Sequence, residues 1–148
     1  MLKEIKGDVH IYLMYLGTLP FIIFSLSIIT NYKCNFIMIN RPAESIKLYA
    51  LIISIFMAGI QWGLCLLNSY KYKLFILSNL ITIVLWFTYQ FTSNNTFILI
   101  LVLSFIYHII VDFIFYDEKI ISKKYFINRV IITSIVMTNL LISLINFK

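Results

Sequence analysis

The chain has 148 residues, 61% of them hydrophobic, 17% aromatic and only 12% charged. A soluble domain of this length carries about twice that share of charge to cover its surface, so the composition excludes that class and leaves the bilayer as solvent. The formal charge of +6 invites a nucleic-acid partner, but Lys and Arg sit between the apolar runs, where orientation signals sit, and no nucleic-acid partner is expected.

A spanning helix needs about 20 mostly apolar residues. Five windows satisfy this, at residues 10–30, 46–69, 74–92, 96–116 and 127–146. The runs are continuous rather than alternating and far too few for a membrane barrel. The sequence therefore predicts an all-α fold, one integral membrane bundle of five transmembrane helices occupying residues 1–148.

The first window follows Lys3 and Lys6 but exceeds the apolar core of a signal peptide, about 7–15 residues, and is expected to be retained as a helix. It contains "YLGTLPF". Pro20 removes a backbone donor and clashes with the carbonyl four residues back, which predicts a kink or break near Gly17. The freed carbonyl would be met by Thr18 or by a neighbouring helix. Residues 31–45 then form a connection with the turn-prone "NRPAES".

The second window holds "SIFMAGIQWGLC". At spacings of four and three, Ser54, Ala58, Gln61, Cys65 and Asn68 share one stripe, every member small or polar. Gly59 and Gly63 form a G-x-x-x-G pair on its flank, the pattern that lets another helix backbone approach closely. Gln61 facing acyl tails would cost several kcal/mol in unmet hydrogen bonds, on the order expected for unpaired polar groups, so it must face protein or water. The expected role of the stripe, with Trp62 beside it, is helix packing. Helices in lipid gain nothing hydrophobic by touching and associate through close contact and hydrogen bonds.

The short links "YKYK" and "SNN" make spans two to four antiparallel neighbours. In the fourth window Ser104, His108 and Asp112 lie at i, i+4 and i+8, on one face. The charged turn that follows is centred near residue 120, and positions equidistant from it share a depth, so Asp112 and Arg129 of the fifth window are expected to pair. Ser104, His108 and Asp112 resemble a triad only in residue type, since one straight helix offers neither an oxyanion hole nor a strained nucleophile turn. A proton relay through His108 is the alternative to a structural network. One His and one Asp fall short of a metal-ligand set, and no metal or other cofactor is expected.

Tyr32, Tyr49, Tyr70, Tyr72, Tyr116 and Tyr125 near the span ends read as an interfacial belt. Cys34 and Cys65 are placed too far apart for a disulfide. No phosphate-binding glycine loop, H-E-x-x-H, C-x-x-C or G-x-S-x-G occurs, and no enzymatic activity is expected. Of the twelve Lys and Arg residues, eight fall on the N-terminal side of the five spans and four on the other. That bias predicts a cytoplasmic N-terminus and a periplasmic C-terminus in a bacterial inner membrane.

"AGIQWG" resembles the glycine-glycine-x-His-Trp-Gly core of the small uncharacterised membrane proteins typified by transmembrane protein 69, of bacteria and mitochondria. "YLGTLPF", "YALIISIF", the aspartate closing the fourth span and "YFINRVIITSIV" are similar to that family's patches, in the same order along the chain. The resemblance carries over to Gly17, Pro20, Phe21, Tyr49, Gly59, Trp62, Gly63, Asp112, Arg129 and Thr133, and implies helix packing for Gly17, Pro20 and Thr133. Two positions depart from it: Ala58 stands for the first glycine and Gln61 for the histidine. It implies fold and location and no activity. The expectation is a non-enzymatic structural or assembly partner in a membrane complex, with the lipid bilayer and a membrane protein or a second copy as partners. The alternative is a small transporter or proton/ion pathway through Gln61, Asn68, Ser104, His108, Asp112 and Arg129.

Overall fold

The structure, a computed structural model, describes residues 2–30, 41–67 and 72–146, with side chains from residue 9 onward. Six helices follow in order: α1 (Leu2–Leu16), α2 (Leu19–Thr30), α3 (Pro42–Leu67), α4 (Tyr72–Phe91), α5 (Asn94–Asp117) and α6 (Lys123–Asn146). No strand occurs among the described residues. Taking Val9–Thr30 as one interrupted element, five stretches among the described residues are long and apolar enough to cross a membrane. The helices overrun the predicted windows at several ends. α3 begins at Pro42, four residues early, because proline suits a first helical turn whose N–H groups need no partner.

Between α1 and α2 the helix breaks at Gly17 and Thr18, just ahead of Pro20. The Gly17 N–H still reaches the Leu13 carbonyl at 3.0 Å, after which the chain tightens so that the Thr18 N–H donates to the Tyr15 carbonyl at 2.9 Å. The Thr18 hydroxyl donates to the same carbonyl at 2.8 Å. The Gly17 carbonyl is met from α3, where the Tyr49 hydroxyl donates to it at 3.0 Å, with the Tyr49 ring 5.0 Å from that of Phe21. Tyr49 thus corrects the belt reading: its hydroxyl serves the backbone that the proline break exposes. A tyrosine near a span end looks the same in sequence whether it meets a headgroup or a carbonyl.

Both described tight turns have a local cause. Ser93 caps α5, its side chain accepting from the Thr96 N–H at 3.4 Å, so two helices reverse direction over two residues. At the other end, the Lys119 N–H donates to Tyr116 O and the Ile120 N–H to Phe115 O, both at 2.9 Å. That paired pattern ends a helix on a left-handed residue, with an apolar contact across the turn. Lys119 has φ 59°, and Ile120 packs against buried Phe115. A side chain in this conformation costs roughly 1 kcal/mol that glycine does not incur. Lys119→Gly is expected to stabilise the chain by up to about 1 kcal/mol, read as a raised unfolding midpoint in detergent; an unchanged or lowered midpoint counts against the assignment.

α3 sits centrally, touching α2, α4 and α5, while α6 contacts α1, α2 and α5. Since α4 lies between them in the chain, α3 and α5 run parallel. One end of their interface is apolar: Ile46, Ala50 and Leu51 meet Phe97, Ile98 and Leu101 in one cluster. Further polar ties hold the first element to the rest, with the Tyr15 hydroxyl donating to Asn128 Oδ1 at 2.9 Å and Ser25 to Asn139. Lys47 is buried and bonds Asn94. α4 is peripheral, with only Ser78 and Leu85 buried.

Candidate functional site: a buried polar seam

From the middle of α3 and α5 toward the α5–α6 turn, the apolar contact gives way to polar side chains. Ser54, Ala58, Gln61 and Cys65 are all buried, as their four-and-three spacing requires when one face of α3 meets its neighbours. Ser104, His108 and Asp112 are buried on α5, and Arg129 on α6. Asn68, the remaining network residue, and Cys34 lie outside the described residues.

Ser54 and Ser104 oxygens stand 3.0 Å apart, and Ser54 Oγ lies 2.9 Å from His108 Nε2. The other ring nitrogen, Nδ1, is 3.0 Å from Gln61 Oε1. The Gln61 amide nitrogen donates twice, to the His108 carbonyl and to Asp112 Oδ1, each at 3.1 Å. Arg129 Nε donates to Asp112 Oδ2 at 2.9 Å. The depth count about the α5–α6 turn thus finds its pair, in a salt bridge whose side chains are 9% and 5% exposed.

Proton bookkeeping fixes the orientations. Both partners of the Gln61 nitrogen are acceptors, so the nitrogen must face them and the amide oxygen must face His108. That oxygen can only accept, hence His108 carries a proton on Nδ1. In the neutral imidazole Nε2 then accepts from Ser54, while the Ser104 hydroxyl, 3.0 Å from Ser54 Oγ, donates to the Leu101 carbonyl at 2.7 Å. Among the described residues, the Tyr107 hydroxyl is the one fully buried side-chain polar atom left unmet.

Several packing residues lie apart from this chain of bonds. Gly17 marks the helix break; a methyl placed on it would lie 3.3 Å from the Met14 carbonyl oxygen. Thr133 is buried on α6 beside an apolar groove. Trp62 is 38% exposed and stacks on Phe75 of α4 at 5.3 Å. At Gly59 and Gly63 a Cβ would meet nothing within 4 Å inside the chain. Among the described residues no backbone uses the gap at these two positions. The residues that sequence reasoning missed were Ser54 as a partner of the imidazole and Tyr49 as a partner of the break. The polar stripe on α3 signalled the first; nothing local signalled the second.

The family model for a protein of unknown function (DUF3429) matches residues 8–145. The chain belongs to that family. No curated protein and no solved structure matches it. The DUF3429 region contains all the seam residues named above and both sides of the proline break, so these features lie inside the matched stretch rather than in an appendage.

Proposed function

We propose that this DUF3429 protein is an integral membrane protein of the bacterial inner membrane, N-terminus cytoplasmic, which acts as a non-enzymatic assembly partner in a membrane complex. One observation carries the reading: from Ser104 to the Asp112–Arg129 pair the polar seam is bonded from within, and only the terminal nitrogens of Arg129 face out of it. Its bonds run from Ser104 through Ser54, His108, Gln61 and Asp112 to Arg129, each partner supplied from within. Beyond Ser54 and Ser104, α3 and α5 meet through Ile46, Ala50, Leu51, Phe97, Ile98 and Leu101. An ion moving along this interface would have to pass that apolar plug without a replacement for its hydration, which argues against the transport alternative. The seam serves instead to hold three helices in register, since hydrogen bonds and close contact are what associate helices in lipid.

Lateral faces are then the surfaces left for function. α4 is the least buried of the five crossing-length stretches, and near its middle an exposed Asn79 satisfies its amide nitrogen only on its own helix, at the Phe75 carbonyl (3.0 Å). An amide in hydrocarbon favours a neighbouring helix that can bond it. Purification in mild detergent is expected to recover a stoichiometric partner or a second copy, and Asn79→Leu is expected to release it. Monomers without a partner, together with proton or ion flux in liposomes that His108→Ala abolishes, would reverse the proposal in favour of transport.

A further inference from the structure

Beside the seam, α1, α2, α3, α5 and α6 enclose a groove of about 300 Å³. Its lining is graded. His10, Tyr125 and Arg129 stand at one end, and Phe21, Ile53 and Val136 toward the other. From Tyr125 to Val136 the groove follows α6 for about 16 Å at the helical rise, close to half of a hydrocarbon core about 30 Å thick. The polar end is the end at which α6 begins, with Lys123 and Lys124, and where the cation bias of the sequence sets the cytoplasmic face.

Arg129 gives this groove its chemistry. The side chain is 9% exposed, and its single described side-chain hydrogen bond uses Nε. A guanidinium has five N–H donors, so the four on the terminal nitrogens have no partner among the described residues, while the residue lines the groove. A fork of unmet donors that opens onto the head of an apolar channel one leaflet long matches an acyl chain attached to an oxyanion. Phosphate suits such a fork, because two parallel charge-assisted bonds form at once. Anionic lipids are also what attract cations at a cytoplasmic surface, where Lys119, Lys123 and Lys124 outnumber Asp117 and Glu118 around this turn.

We propose that the groove binds one anionic phospholipid of the adjacent leaflet, its phosphate on the Arg129 terminal nitrogens and one acyl chain running toward Phe21 and Val136. This rests on the membrane location proposed above but not on the assembly role. Asp112 then acts in a second way, since by holding Nε it aims the free edge of the guanidinium at the groove.

Native mass spectrometry of the full chain in a nonionic detergent tests the site, with phosphatidylglycerol and phosphatidylcholine of identical chains as probes. One phosphatidylglycerol is expected to be retained with a preference of about tenfold over phosphatidylcholine. Arg129→Lys keeps a cation for Asp112 without a fork and is expected to remove that preference. Ile60→Trp, which fills the groove away from the seam, is expected to lower phosphatidylglycerol retention about tenfold with helicity unchanged. Equal retention of the two lipids, retention of oleate in place of phosphatidylglycerol, or indifference to Ile60→Trp overturns the proposal. Alkaline carbonate extraction tests the location separately: a chain that stays in the membrane yet ignores headgroup charge refutes the lipid site alone.

Discussion

Asp112→Ala and Arg129→Met, each made alone, are expected to destabilise the bundle by about 3–5 kcal/mol, the cost of leaving one member of a buried ion pair without its counter-charge. The Arg129 Nε to Asp112 Oδ2 distance is 2.9 Å with both side chains nearly inaccessible, so solvent screening does not discount the effect as it would for the exposed Arg41–Glu44 pair. The informative variant is the double apolar one, Asp112→Leu with Arg129→Met. Replacing both charges by packed side chains removes the desolvation penalty along with the attraction, and such replacements are often neutral or stabilising. The double variant should therefore lie well above either single one in denaturant or thermal unfolding in detergent. Reversing the charges, Asp112→Arg with Arg129→Asp, should recover only part of the loss, because the Gln61 amide nitrogen bonded to Asp112 would then face a cation. Single losses that simply add, within about 0.5 kcal/mol, would show that the two residues act independently.

The pair was legible in the sequence because it depends on local geometry. Asp112 and Arg129 flank a short turn, and counting residues from its centre gives their depth. The proline break was legible for the same reason: Pro20 and Gly17 declare it within four residues, and α1 does end at Leu16. The five apolar stretches follow from composition alone. What could not be read was which face of α3 meets which face of α5, since no turn links these parallel helices directly and nothing in either fixes the rotation of the other. Ser54 therefore read only as a helix-packing residue of the stripe, although it is the second partner of the His108 ring. Gly59 and Gly63 show the limit from the opposite direction. A small residue permits a close approach but does not cause one, and no described atom comes within 4 Å of a Cβ placed at either position. Tyr49 shows a third limit, because its target is the Gly17 carbonyl at the helix break, 32 positions earlier on another element.

The Gln61 junction supplies the other large effect. Gln61→Leu is expected to cost about 2–3 kcal/mol. It leaves the His108 Nδ1 proton unmet inside the seam and strips one hydrogen bond from the Asp112 carboxylate, and bonds to charged groups are worth roughly 1.5–3 kcal/mol. Interhelical hydrogen bonds in membranes average only about 0.6 kcal/mol, but that figure includes groups that find another partner when one is removed. Here the surroundings offer none: Ser54 is committed to Nε2, and the next groups along the interface are apolar. Gln61→His, which installs the residue implied by the family resemblance, should cost less, about 1 kcal/mol, since a neutral imidazole offers one donor and one acceptor where the amide engages three groups. The wild-type amide also dictates the tautomer. Nitrogen-15 shifts of His108 should show the proton on Nδ1 in the neutral ring, and Gln61→Leu should release that preference while Ser54 still bonds the opposite nitrogen. A wild-type ring protonated only at Nε2 would mean that the Gln61 amide is turned the other way, with its oxygen toward Asp112, and the seam would then not be the self-satisfied structure on which the assembly role rests.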